Sequence, residues 1–241
     1  SRNFKILESE REIERERESM GQDTSRPSSR GFRVLAVQKG SPGAKAGLVS
    51  FFDIILGTSD YRFQNDDDTF QELLNKHKNS KITLSVYNIK ACTVREVVLI
   101  PMEWKGKGLL GVTIRFDSWE EDEGHYLHVL NVEEKSPSAL AGLEKDNDFI
   151  LGTSRQILSS TKDLVYAALD KADEGTALML WVYNKKKDTV RRVAVRPNKT
   201  WGGSGVLGCD IGSGYLHTLP QECRNSTGQS IFVGPADGDN G

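Results

Sequence analysis

The sequence predicts a mixed α/β (α+β) protein in which one small unit is used twice. Three observations predict it. Ser41 to Ser59 (SPGAKAGLVSFFDIILGTS) and Ser136 to Ser154 (SPSALAGLEKDNDFILGTS) agree at twelve of nineteen positions without a gap. The likeness extends outward, from Val34-Leu35-Ala36-Val37 against Val129-Leu130-Asn131-Val132 to WKGKGLLG at Trp104 against WGGSGVLG at Trp201. Each copy also alternates strand-period and helix-period stretches in the same order. A self-match of this length marks a structural repeat. Copies of about 85 to 90 residues suit small domains with their own cores, not a solenoid.

The elements follow in order. Residues 1–30 form an extension: Glu and Arg alternate from Glu8 to Glu18 as a solvated helix without an apolar face, and Gly21 to Arg30 reads as a linker. The first domain is 31–117. Phe32 to Val37 is a strand, Ser41-Pro42-Gly43 a turn, Ala44 to Leu48 a short helix closed by Gly47, and Asp53 to Leu56 a strand. Thr69 to Lys78 has helical spacing, with Asp66-Asp67-Asp68 at its positive end. Lys81 to Tyr87 and Val94 to Ile100 form a hairpin, and Gly108 to Phe116 alternates as a half-buried strand. Residues 118–125 are an acidic linker. The second domain, 126–220, repeats the order with strands at Tyr126 to Val132 and Phe149 to Leu151 and a helix at Lys162 to Ala172. The hairpin Ala177 to Tyr183 with Val190 to Val195 follows, and GVLGCDI from Gly205 closes the domain. The polar, Gly-rich composition of 221–241 predicts a disordered tail.

Composition excludes several function classes. The chain has 241 residues, 37% hydrophobic and 27% charged, with net charge −2, so no bulk field draws nucleic acid. No apolar run approaches the ~20 residues of a membrane span. Cys92, Cys209 and Cys223 are odd in number and scattered, which fits a reducing compartment rather than a disulfide framework. The glycosylation patterns at Asn198 and Asn225 carry no weight in that setting. The repeated residues are turn and core types. No nucleophile, acid/base pair or metal-ligand cluster repeats with them, and no G-x-S-x-G is present, so the reading is a non-enzymatic binding scaffold with no cofactor.

The binding element is the glycine-flanked loop before the last strand of each unit. In GLLGV the glycines let successive amides point outward as a nest for a carboxylate or carbonyl. The strand that follows can add an extended peptide to its edge, and a helix with apolar residues at i, i+3 and i+4 forms the opposite wall.

SPxAxAGL followed by an aspartate and an ILG strand resembles the PDZ fold, circularly permuted because the loop strand comes last. Two such units, Trp-x-Gly-x-Gly before each loop and the ending GVLGCDIGSGYLHTLP are similar to the Golgi reassembly and stacking protein (GRASP) family. The resemblance implies two tandem PDZ-like domains, each a small partly open β-barrel with two helices. It implies a peripheral protein on the cytoplasmic face of the Golgi membrane that tethers membranes by self-association in trans and binds golgin coiled-coil tails. A generic PDZ-type peptide adaptor of the secretory pathway, unconventional secretion included, without stacking activity is the alternative.

Carried over, the first groove uses Leu109, Leu110, Gly111, Val112 and Ile114 with Phe70, Leu73 and Leu74. The second uses Val206, Leu207, Gly208, Cys209 and Ile211 with Leu164, Val165, Ala168 and Leu169. Tyr215, Leu216, His217, Thr218, Leu219 and Pro220 form the projecting segment that another copy's first groove receives. An aspartate at Gly111 is expected to block that contact and to spare the fold if the loop is exposed. Met20-Gly21-Gln22-Asp23-Thr24-Ser25 matches the myristoylation pattern, with Gly21 as acceptor when Met20 is the translation start. Some family members pair a His and a Cys in a partner-completed zinc site. Arg33 and Asp117 stand at those positions here, so no metal is expected.

Overall fold

The computed structural model describes residues 29–119, 126–153, 156–158 and 160–232. The extension readings, Gly21, and most of the acidic linker lie outside the described residues. In the first unit the order is β1 (Arg30–Val37), α1 (Pro42–Lys45), β2 (Asp53–Gly57), α2 (Thr69–Lys76), β3 (Ile82–Asn88), β4 (Thr93–Leu99) and β5 (Val112–Ser118). The second contains β6 (Leu127–Val132), α3 (Pro137–Leu140), β7 (Asp148–Thr153), α4 (Thr161–Glu174), β8 (Leu178–Asn184), β9 (Thr189–Val195) and β10 (Cys209–Gly212), and β11 (Gln229–Ser230) follows. The sheets run β4-β3-β2-β1-β5 and β10-β6-β7-β8-β9-β11. Neither closes into a barrel, because the edge strands of each sheet do not pair with one another.

The repeated SPxA sequence folds for a local reason. Ser41 Oγ accepts the Ala44 amide at 3.0 Å, Ser136 Oγ accepts the Ala139 amide at 3.0 Å, and each following proline occupies the first helical turn, where it loses no bond. Ser41-Pro42 is therefore the start of α1, not a separate turn. The repeated aspartate is the deeper element. Asp53 is fully buried and accepts the Val49 amide (2.8 Å), Asn88 Nδ2 (2.7 Å) and Arg95 Nη1 and Nη2 (2.8 and 2.6 Å). Asp148 does the same with the Glu144 amide, Asn184 and Arg191. Each arginine also caps the carbonyl of the glycine that ends the short helix, Gly47 or Gly142.

Three of the cores are instructive. One lies under each sheet, with Phe32, Phe63, Phe70 and Leu84 in the first and Ile150, Leu164, Ala168 and Leu180 in the second. A third joins the units: Phe51 and Phe52 pack with Tyr126, Phe149, Trp181 and Tyr183. Phe52 meets the Tyr183 ring edge-on at 5.2 Å, and Phe51 lies 5.7 Å from Trp181. Phe51 holds φ +65°, a left-handed conformation unfavourable for a bulky side chain. Its counterpart Asp146 has φ +62°, which aspartate tolerates better. The strain at Phe51 is offset by burying its ring between the units.

The tail departs from expectation. Residues 221–232 are ordered and strap the two units together. Lys90, fully buried in the first unit, donates to the Cys223 carbonyl (2.5 Å) and Ser226 Oγ (3.0 Å) and pairs with Asp188 of the second at 2.9 Å. Asn88 donates to the Thr227 carbonyl, the Ser50 amide to Ser230 Oγ, and β11 pairs in parallel with β9. Burial opposes the charge on Asp188, but hydrogen bonds from Ser226, Lys90 and Tyr183 outweigh it and hold its pKa below the usual value. Polar composition misled because this segment is ordered by hydrogen bonds, with only Cys223 and Phe232 packed on cores. Residues 233–241 lie outside the described residues.

Removing one partner of a buried charge pair costs about 3–5 kcal/mol. Asp53→Ala is expected to lower unfolding stability by that amount in urea titrations followed by circular dichroism. A change below about 1 kcal/mol would show that the network does not hold the first unit.

Candidate functional site

The loop Gly108–Gly111 and strand β5 form one wall of a groove, and α2 forms the other. β5 is an edge strand, paired with β1 on one side only. The groove contains a pocket of about 160 Å³ lined by Phe32, Asp67, Phe70, Gln71, Leu74, Gly108–Val112 and Ile114. Of the first-groove residues expected from sequence, all but Leu73 line it. Leu73 packs against the core instead. Gln71 and Asp67 were missed because polar residues between apolar anchors carry no periodic signal.

The loop is held through its carbonyls. Gln38 N donates to the Gly111 carbonyl (2.8 Å), Gly43 N to Leu110 (2.9 Å) and Met102 N to Leu109 (3.1 Å). The same three bonds recur in the second unit, from Glu133, Ser138 and Asn198 to Gly208, Leu207 and Val206. The Trp-x-Gly-x-Gly motif has a mechanical role. Trp104 Nε1 donates to the Gly108 carbonyl at 2.9 Å and Trp201 Nε1 to Gly205 at 2.7 Å, and each ring lies against the loop's second glycine.

That contact corrects the expectation for Gly111→Asp. Gly111 is buried at φ +65°, and a Cβ there would stand 2.3 Å from the Trp104 ring and 2.4 Å from Ser41 Cβ. The substitution breaks the loop itself, so it does not isolate binding. Gly208 is equally confined, by Ser136 and Trp201.

The second groove has a shorter strand wall. β10 has four residues, and Val206, Cys209 and Ile211 are partly buried against the second core. Leu164 and Ala168 are buried in the position of Phe70 and Leu74, Leu169 is half-buried, and Val165, 49% exposed, falls where Gln71 does on the rim. Burial pushes the Cys209 thiol up, so it stays protonated at neutral pH.

The projecting segment divides. Tyr215 and Leu216 are 90% and 88% exposed in a single 3-10 turn, with His217, Thr218 and Pro220 half-buried. Leu219 does not project: it is buried in the core between the units. His217 lies over Gly212, 6.0 Å from the His128 ring, which stacks on Phe149. The positions of the family's zinc pair do meet, but as an Arg33–Asp117 ion pair at 3.2 Å. Among the described residues no group of three ligating side chains could hold a metal, and no helix is long and apolar enough to cross a membrane.

Two open sheets, each with a glycine-flanked loop before an edge strand and a helix opposite, define a tandem PDZ-like protein. The family model for the GRASP55/65 PDZ-like domain matches twice, over residues 20–104 and 88–222, and the chain belongs to that family. It is 42% identical over 205 residues to Golgi reassembly-stacking protein 1 of Mus musculus, covering 84% of this chain and 45% of that protein. Against the Homo sapiens protein of the same name it is 43% identical over 193 residues, 80% and 43% of the two chains. It is 25% identical over 205 residues to GRASP65 homolog protein 1 of Saccharomyces cerevisiae, 72% and 54% of the two. The chain spans less than half the length of the mouse and human proteins it matches.

Trp104→Phe keeps a ring but removes the indole donor, a bond with a net contribution of about 1 kcal/mol. Hydrogen exchange of the Gly43 and Met102 amides, which donate to the loop carbonyls, should accelerate about fivefold while exchange in β3 is unchanged. Equal protection in both proteins would mean that the indole does not hold the loop.

Proposed function

We propose that this chain is a non-enzymatic tethering scaffold of the Golgi that associates with copies of itself in trans and binds the tails of golgin-type coiled-coil proteins. The observation that carries the reading is the pairing, on one molecule, of an open apolar groove at the β5 edge with an exposed Tyr215-Leu216 knob elsewhere. The two surfaces are different, so the contact is heterologous and links one copy to the next. Family membership and the names of the mouse and human relatives support the Golgi assignment.

Attachment to the cytoplasmic face of the membrane would use Gly21. The family match begins at residue 20, the methionine before it. One myristoyl chain binds marginally, so a second point of attachment through a partner or a second copy completes the anchor. A protein started at Met20 should incorporate myristate and lose it on Gly21→Ala. Equal membrane partitioning of the two forms would remove lipidation from the account.

The tether is tested at exposed positions that leave the core intact. Gln71→Trp fills the pocket mouth, and Leu216→Asp places a charge on the knob. Each should reduce aggregation of protein-coated beads at least tenfold, and mixing beads of the two variants should restore clustering, since the intact knob of one then meets the intact groove of the other. Clustering equal to the unmodified protein in both variants would show that self-association runs through other surfaces and would favour the adaptor reading.

A further inference from the structure

The two sheets differ at the edge opposite the loop strand. β4 ends the first sheet, hydrogen-bonded to β3 on one side and to no strand on the other. Val97 and Leu99 turn into the core, and Arg95 reaches Asp53. The residues between them face water: Val94 is 60% exposed, Val98 55% and, just past the strand, Ile100 37%. Glu96 is the one charge in this row. Lys81, also exposed, precedes Ile82, the cross-strand partner of Leu99, and so stands beside Ile100. Natural edges are blunted by Lys, Pro or a bulge, and β4 contains none of them.

The matching edge of the second unit is protected. β11 pairs with its first residues, Thr189 and Val190. Arg192, Ala194 and Arg196 stand where the first unit has Glu96, Val98 and Ile100, and Ala177 stands where it has Lys81. An open apolar edge is therefore a property of the first unit alone.

We propose that β4 pairs with β4 of a second copy of this chain, antiparallel about a twofold axis at Val98, so that two first sheets become one. Charge complementarity selects this occupant and this register. Val98 meets the second copy's Val98, and Glu96 meets its Ile100. The second copy's Lys81 lies beside that Ile100, two strand spacings or about 10 Å from Glu96, within the joint reach of the two side chains. Twofold symmetry makes the ion pair twice. Pro101 has no N–H to donate and ends the ladder on each side. The same pairing through β9 would set Arg192 against Arg196, like charges directly opposite, which is destabilising. β4 and β5 are the two opposite edges of the first sheet, so the contact leaves the groove uncovered and does not rest on the groove reading. A ladder this short falls well below the ~800 Å² per partner of a stable interface, so the dimer is weak and concentration-dependent.

The experiment uses the full chain carrying Leu216→Asp, which removes the knob contact, and sedimentation velocity over a concentration series. Dimers should form. Glu96→Lys should weaken them about tenfold, the scale of two exposed ion pairs made repulsive. Adding Lys81→Glu should bring the affinity back to within about threefold, a rescue that a merely local change in the strand would not give. Val98→Lys places like charges directly opposite and should weaken the dimer by about tenfold or more. These side chains are exposed, so thermal melting should be unchanged. In a Cys92→Ser background, Val98→Cys should cross-link to itself under mild oxidation, and Val94→Cys, which meets no copy of itself, should not. A chain that stays monomeric up to about 0.5 mM, or a dimer indifferent to Glu96→Lys and Val98→Lys, overturns the proposal. A monomer whose outward β4 amides are protected from hydrogen exchange also overturns it, and assigns the edge to another segment of the same chain.

Discussion

A buried carboxylate in each unit organises everything around it. Asp53 ties together the exit of α1, the start of β2, the end of β3 and the middle of β4 through hydrogen bonds to Val49, Asn88 and Arg95. A charge out of water is stable only when its lone pairs are filled, and here Asn and Arg fill them. The consequence reaches the groove. With its exit pinned, α1 is fixed over the sheet, and its Gly43 amide holds the Leu110 carbonyl of the Gly108–Gly111 loop. The loop sits at the end of a rigid chain of bonds rather than on a flexible connector. The second unit reproduces every link, from Asp148 through Ser138 to Leu207.

The scaffold is symmetric but its surfaces are not. Where the first unit has Phe51-Phe52 before its aspartate, the second has Asp146-Asn147. The aromatic pair enters the core between the units, and the polar pair offers no equivalent plug. The joint between the units is therefore not the like interface at every step that a repeat array needs. The two β-hairpin turns differ in the same sense. Lys90 is buried under the 221–232 strap, whereas its counterpart Lys186 is exposed. Each asymmetry fixes one unit against the other and leaves the β5 and β10 edges open.

Much of this was legible in the residues. Hydrophobic content gave β1–β10 and both longer helices to within a few positions; β3 and the helices show one apolar face, whereas β2 and β7 are apolar runs buried almost throughout. The repeat pointed to Asp53 by its recurrence, but not to its meeting with Asn88 and Arg95, which depends on a fold that joins β2, β3 and β4. Leu73 reads as a groove residue on spacing, yet an i+3 neighbour of Phe70 turns toward the core as readily as toward the cleft. The ordered tail was hidden for a different reason. Its hydrogen bonds to Lys90, Asn88 and Ser50 join residues far apart in sequence, and composition reports only local apolarity.

The rigid joint between the units bears on how a tether would work. Translational freedom lost on association is a large cost, and a second contact made by the same rigid body avoids repeating it. Phe51, Phe52, Lys90 and the strap hold the knob at Tyr215 in a set relation to the β5 groove, since Leu219, four residues on, is anchored in the joint itself. Under the proposed reading each molecule then presents donor and acceptor surfaces at one angle. A heterologous contact of that kind closes into a ring or extends as a chain according to the angle alone. On that reading the aromatic joint, buried between the units, sets the geometry of the assembly.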